Sequence, residues 1–194
     1  DGVFWLAIQE GDWYDLGHRA GAWDIEGGYQ WKNLWAKPWL RIGYFQGSGD
    51  PNPGDTLHET FFQILPTGRQ YAFFPLYNMM NNRDLFTEAI FKPWKPLTLR
   101  TDWHLLALDK RGDRLYGGSG AGQEKGGIFG YFGRNSFGKS GVGNLLDLSV
   151  AYDITSHLNV STYYGHLFGG SVLEKIYPAG HNANFFFAEI SLKL

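Results

Sequence analysis

Gly133-Arg-Asn-Ser-Phe-Gly138-Lys139-Ser140 has the spacing of a phosphate-cradling loop, in which backbone amides and a lysine gather around phosphate oxygens. That chemistry requires a helix directly after the loop, because its N-terminal amides and dipole complete the anion site. Here Gly141-Val142-Gly143 follows and then an alternating apolar run, so the stretch reads as a Gly-rich surface loop. Asp102 and His104 are two residues apart, which on a strand puts both on one face, where a carboxylate could orient an imidazole for general-base work. A nucleophile or polarised water is also needed, and Ser149, the nearest candidate by parity, is marked only as a small inward residue. No catalytic residue is assigned, and the chain reads as no enzyme. Asp50, Asp55 and Glu59 could offer oxygen ligands, but not at the spacing of a dedicated calcium loop. With no cysteine in the chain, thiolate metal sites and disulfides are excluded, and neither a metal nor a cofactor is assigned. Asn159-Val160-Ser161 forms a glycosylation sequon inside a predicted strand and carries no weight there.

The elements that must position these residues follow from composition and period. Aromatic residues make up 18% of the chain and charged ones only 19%, more ring surface than a soluble domain of this length readily hides. A net charge of −2 gives no basic footprint, so nucleic acid is excluded as a partner. No apolar run approaches the ~20 residues of a membrane-spanning helix, since Leu105 to Leu108 is closed off by Asp109. If the chain crosses a membrane it does so as a closed barrel, the other architecture that satisfies every backbone polar group in lipid.

Alternation is clearest at the end of the chain, where Ala188, Ile190, Leu192 and Leu194 oppose Glu189, Ser191 and Lys193. The same two-residue period sets Leu146, Leu148, Val150 and Tyr152 against Asp147, Ser149 and Ala151, and sets Leu97, Leu99 and Trp103 against Thr98, Arg100, Asp102 and His104. Eight strands are predicted, over 2–10, 18–31, 38–47, 85–93, 97–109, 144–153, 158–168 and 182–194. Short connections at 32–37, 94–96 and 154–157 alternate with longer ones at 11–17, 48–84, 110–143 and 169–181. This sorting by length is the asymmetry of outer-membrane barrels, with short periplasmic turns and long extracellular loops. The fold class is therefore all-β, a single transmembrane antiparallel β-barrel region over 1–194, with long loops near 48–84 and 110–143. Trp31, Trp35, Trp39, Trp94, Tyr152, Tyr163 and Tyr164 are expected near a membrane boundary, where amphipathic rings gather.

If the alternation holds, the lumen side carries Asp24, Glu26, Glu88, Asp102, Asp147 and Glu189 with Arg41, Lys92, Arg100, Lys193 and His104 among them, both signs interleaved. Charges facing a water-filled lumen set which ions pass. The loop 48–84 is the expected constriction, with Asp55, His58, Glu59 and Arg69 as its candidate residues. Gly28, Gly43, Ala151 and Gly165 also fall inward and would leave gaps in a barrel of only eight strands, which is just wide enough to be filled by its own side chains.

The stretch Asp55-Thr-Leu-His58-Glu-Thr-Phe-Phe-Gln-Ile-Leu-Pro66-Thr67-Gly68 resembles the alginate-export family of outer-membrane porins. Tyr152-Asp153-Ile-Thr-Ser-His157-Leu-Asn-Val, Tyr163-Tyr164-Gly165-His166-Leu-Phe-Gly169-Gly170 and the final strand are similar to that family's C-terminal strands. The resemblance implies a wider barrel of which these residues form the C-terminal portion. It also implies an outer-membrane location and a porin-like channel for passive diffusion or export of hydrophilic solutes, oligosaccharide or polysaccharide among them. Because the inward charge is mixed rather than basic, the family name is not taken as the substrate. An outer-membrane barrel has a lipid bilayer with lipopolysaccharide and a hydrophilic solute as partners, and leaves room for association with other envelope proteins. The competing readings are a structural or adhesive barrel with a plugged lumen, which would not conduct, and third a barrel-embedded hydrolase.

Overall fold

The computed structural model describes residues 1–64, 71–118, 127 and 130–193. Its strands are β1 (Gly2–Trp13), β2 (Leu16–Gln30), β3 (Trp39–Gly47), β4 (Leu57–His58), β5 (Asn82–Phe91), β6 (Leu97–Leu108), β7 (Arg114–Gly118), β8 (Tyr131–Asn135), β9 (Gly141–Asp153), β10 (Leu158–Gly169) and β11 (Ala183–Leu192), with one short helix, α1 (Ser171–Ile176). Eight of these strands pair antiparallel in the order β1-β2-β3-β5-β6-β9-β10-β11, and β4 adds in parallel to the start of β2, at Gly17 and His18. The chain is thus all-β, a meander whose neighbours in sequence are neighbours in space. Its end strands β1 and β11 do not pair with each other, so the sheet is open.

The eight expected strands are all present, with differences at their ends. The connection expected at 11–17 is a tight turn instead: the β1–β2 ladder continues to Trp13↔Leu16 and reverses at Tyr14 and Asp15. Tyr14 takes a positive φ of 54° there, and Gly11 and Gly17, which read as loop residues, are accommodated within the pairing. Strand β5 begins at Asn82, three residues before its expected start. The long connections have internal structure: β4 lies in the second, the hairpin β7–β8 in the third and α1 in the fourth. The stretch from Gly133 to Ser140 runs out of β8, turns with the Lys139 N–H donating to the Ser136 carbonyl at 3.0 Å, and enters β9. A strand, not a helix, follows it, so the anion-cradling geometry is absent.

The period of two is realised as two contrasting faces. Phe4, Leu6, Ile8, Ile25, Leu40, Ile42, Leu85, Leu105, Leu148, Val150, Phe186, Ile190 and Leu192 are all exposed on the outer face. An apolar surface shared by neighbouring strands in this way is more than scattered exposed residues, and has the pattern of the lipid-facing band of a transmembrane barrel. Trp31, Trp35, Trp94 and Tyr152 are exposed where the short turns lie, as expected of an interfacial belt. Tyr163 departs from that expectation, and Trp39, at the short-turn end of β3, faces inward. Trp39 lies beneath the Arg41 guanidinium, 5.1 Å from its ring centre, and Tyr163 is buried on the inner face. Tyr164 points outward but sits mid-strand, opposite Leu148 and Phe186.

The inner face forms the core together with the segments that fold over it. Phe61, Tyr71, Ala72, Phe74, Tyr77 and Met79 bury themselves against Ala20, Ala22, Phe45, Phe86, Leu106, Leu145 and Leu167 of the sheet and Val172 and Leu173 of α1. Tyr71 accepts a hydrogen bond from the Trp5 indole at 2.8 Å. The small inward residues are therefore not gaps at every position: a side chain at Gly165 would collide with Phe74 and the Tyr163 hydroxyl, and one at Gly43 with Phe86. Gly143, at φ +150° beside the register shift of β6 against β9, has the Phe168 carbonyl where a Cβ would stand.

Candidate functional site: the inner wall

The wall is built by five adjacent strands whose registers stack inward residues side by side. Glu26 of β2 faces Gly43 of β3, Arg41 faces Glu88 of β5, and Glu88 faces Asp102 of β6, which in turn faces Asp147 of β9. The side chains close into a ladder. Arg41 pairs with Glu26 and reaches Glu88 at 3.7 Å, while Arg100 pairs with Glu88 at 2.9 Å and with Asp102 at 2.7 Å. Each guanidinium bridges two carboxylates, a use that suits its rigid fork of donors better than a lysine ammonium. Glu26, Arg41 and Arg100 keep partial exposure towards the short-turn end, while Glu88 between the two guanidiniums is buried.

Deeper, His104 is fully buried and its Nδ1 lies 2.8 Å from Asp84 Oδ2. Asp147 accepts hydrogen bonds from the Tyr163 hydroxyl and, at 3.3 Å, from the Phe73 backbone N–H. Asp24 is fully buried on the same face, beside Phe45. Six carboxylates, Asp24, Glu26, Asp84, Glu88, Asp102 and Asp147, thus share this stretch of wall with two guanidiniums, Arg41 and Arg100. The wall is acid-rich, not balanced.

The structure brings Asp24, Glu26, Arg41, Glu88, Arg100, Asp102, His104 and Asp147 to one inner face. Glu189 shares that face but is exposed on β11, opposite Ser161, while Lys92 and Lys193 lie just past the ends of β5 and β11 and are exposed, outside the ladder. The loop candidates do not converge. Asp55 is exposed and occupied by its own turn, accepting from the Leu57 N–H at 2.8 Å and from the Asn52 amide at 3.2 Å. Glu59 is half-buried and offers its carbonyl to Ser48. Asp50 is buried and binds the Asn52 N–H at 2.9 Å, with burial holding its carboxyl above the usual range. Arg69 lies outside the described residues.

His58 is the loop candidate with a defined setting. Its Nδ1 sits 2.9 Å from His18 Nδ1, and its ring stacks on Trp13 at 4.2 Å between centres. Burial, and then the nearby His18, push its pKa down to about 4. Three residues were missed by sequence reasoning. Asp84 belongs to the inward row of Phe86 and Glu88 and escaped because β5 starts earlier than its pattern suggests. Tyr163 has the right parity but reads as a belt ring. Asp109, just past β6, anchors Gln46 at 2.7 Å and Arg83 at 2.8 Å, and only tertiary structure brings these together.

No helix among the described residues is long and apolar enough to cross a membrane, which leaves the strands as the spanning elements if the chain crosses one. Comparison with curated proteins finds no match. The family model described as alginate export matches residues 4–187, nearly the whole chain, and that family is an outer-membrane transport family rather than an enzymatic one. A two-faced antiparallel sheet with an apolar exterior and an ionic inner wall is what such a channel requires, and with that match the chain belongs to the alginate-export family.

Proposed function

We propose that this chain forms part of the wall of a water-filled outer-membrane channel, through which hydrophilic solutes cross by passive diffusion or export. The observation that carries this reading is the contrast between the faces: exposed aliphatic and aromatic side chains outside, and the Glu26–Arg41–Glu88–Arg100–Asp102 ladder inside. Partly exposed ion pairs on a wall are inexpensive only where water reaches them. The segment 71–81, packed on the inner face, narrows the lumen in this reading. The excess of carboxylates favours cationic and neutral solutes over polyanions. Closure of the barrel is also part of the proposal. The free edges of β1 and β11 carry unpaired backbone groups that hydrocarbon would not tolerate, so further strands complete the wall.

A plugged structural barrel is the second reading, favoured by the tight packing of Tyr71, Phe74 and Tyr77 on the sheet. Liposome swelling separates the two. The channel reading predicts that vesicles containing the folded protein swell in isotonic solutions of neutral mono- and disaccharides, at rates that fall as the sugar grows. Swelling no faster than in protein-free vesicles would leave the plugged barrel as the better account.

A further inference from the structure

His104 presents an unused nitrogen in a place where one is costly. Its side chain is fully buried, its Nδ1 is engaged by Asp84 at 2.8 Å, and its Nε2 has no hydrogen-bond partner among the described residues. An orphaned buried ring nitrogen calls for an explanation, and a bound ion is one. Around it stand Asp102, two residues away on the same face of β6, and Asp147, directly opposite Asp102 across the β6–β9 pairing. One ligand atom from each of Asp102, His104 and Asp147 falls within 4.8 Å of the others, and all three residues are buried. Like charges placed directly opposite on neighbouring strands destabilise a sheet unless a cation lies between them. Arg100 Nε donates to both oxygens of Asp102, at 3.0 and 2.7 Å, whereas among the described residues Asp147 accepts from the Tyr163 hydroxyl and the Phe73 N–H and is paired with no guanidinium or ammonium.

We propose that Asp102, His104 and Asp147 form a binding site for a single divalent transition-metal ion, with zinc the best match, on the inner wall beneath the segment that begins at Tyr71. One imidazole nitrogen and two carboxylate oxygens suit zinc and its first-row neighbours, whereas magnesium and calcium prefer an all-oxygen set. Asp84 fixes the Nδ1–H tautomer and so directs the Nε2 lone pair towards the ion, the usual carboxylate–histidine–metal arrangement. Closing the three ligands around an ion needs only side-chain movement, since metal–ligand distances near ~2.1 Å place ligand atoms roughly 3–3.5 Å apart. The ion would also tie the covering segment to the wall, because Asp147 holds Phe73 and the Tyr77 ring lies 5.9 Å from that of His104. This site does not depend on whether the lumen conducts.

The test uses the protein purified from outer membranes in detergent, freed of metal with a chelator and titrated with Zn2+ and with Co2+ as a spectroscopic substitute. The expected result is one equivalent bound per chain, a visible absorption band for Co2+ in a nitrogen and oxygen field, and binding at least tenfold weaker in His104→Gln and Asp147→Asn but unchanged in His18→Gln. Substoichiometric binding would overturn the proposal, and so would binding that survives both variants or is lost in His18→Gln. If neither variant folds, the wild type still decides by histidine NMR. Zinc must shift one buried imidazole that retains its Nδ1–H, and a shift confined to the His18 and His58 rings overturns the site.

Discussion

Arg41 and Arg100 each stand between two carboxylates, so removing either strands charges that cannot leave the wall. For Arg100, Glu88 and Asp102 lose their shared cation while Asp102 remains buried. Breaking a fully buried pair costs about 3–5 kcal/mol, and the 23% exposure of the Arg100 side chain discounts that to about 1–3 kcal/mol. Arg100→Met should therefore lower the denaturation midpoint in detergent, and Arg100→Lys should recover only part of the loss, since one ammonium cannot fork to both acids. A midpoint unchanged in Arg100→Met would show that the ladder contributes nothing.

At the same scale, His58 gives the long-loop end a pH dependence whose sign follows from burial. Its docked-state pKa is about 4 against an ordinary 6.5, so the docked ring resists a proton that the released ring accepts. Above pH 6.5 both are neutral and docking is at full strength. As pH falls from 6.5 towards 4 the released state is favoured progressively, and below about 4 the loss is complete. Hydrogen exchange, corrected for its intrinsic rate, should show the Gly17 N–H, which donates to the Thr56 carbonyl at 3.0 Å, less protected at pH 5 than at pH 7.5. His58→Gln should remove that difference, and persistence of the difference in this variant would assign it to another group.

At the scale of elements, strand parity was legible because one face must be apolar wherever lipid touches it. Alternation alone set Leu148 and Val150 against Asp147, Ser149 and Ala151, and the structure keeps them on opposite faces. What escaped were features that period cannot encode. Gly11 to Gly17 reads as a loop because glycine and aspartate dominate it, yet cross-strand pairing carries both strands through. Burial of Phe61, Tyr71 and Tyr77 depends on a surface supplied by distant strands, so no local signal in 48–84 announces where that segment packs. For the same reason Asp84 and Tyr163 joined the wall only once the strands were assembled. Depth along a strand was also invisible, and it has a measurable consequence. Leu148 lies mid-strand in β9, whereas Ile190 pairs with Val160, close to the turn at 154–157. Arginine at Leu148 should cost about 2–4 kcal/mol in bilayer folding measurements and at Ile190 about 0–1 kcal/mol, following the depth dependence of charge on a lipid face. Equal costs at the two positions would contradict the assigned spanning geometry.

At the scale of the whole molecule, the proposed channel requires one sequence to serve two solvents. In the proposed channel the outer residues face hydrocarbon and the inner ladder faces water, while each interior strand of the β1-β2-β3-β5-β6-β9-β10-β11 path has a neighbour on both sides and the outer edges of β1 and β11 are where the proposed further strands join. The most direct measurement of the central claim, that the inner wall lines an aqueous path, is single-channel recording of the folded protein in planar bilayers under a salt gradient. The account predicts discrete open-channel conductance with a reversal potential favouring cations, and a shift of that potential towards zero in Glu88→Gln, which removes one wall carboxylate. Folded, inserted protein that gives no conductance steps, or one that prefers anions despite the carboxylate-rich wall, would contradict it.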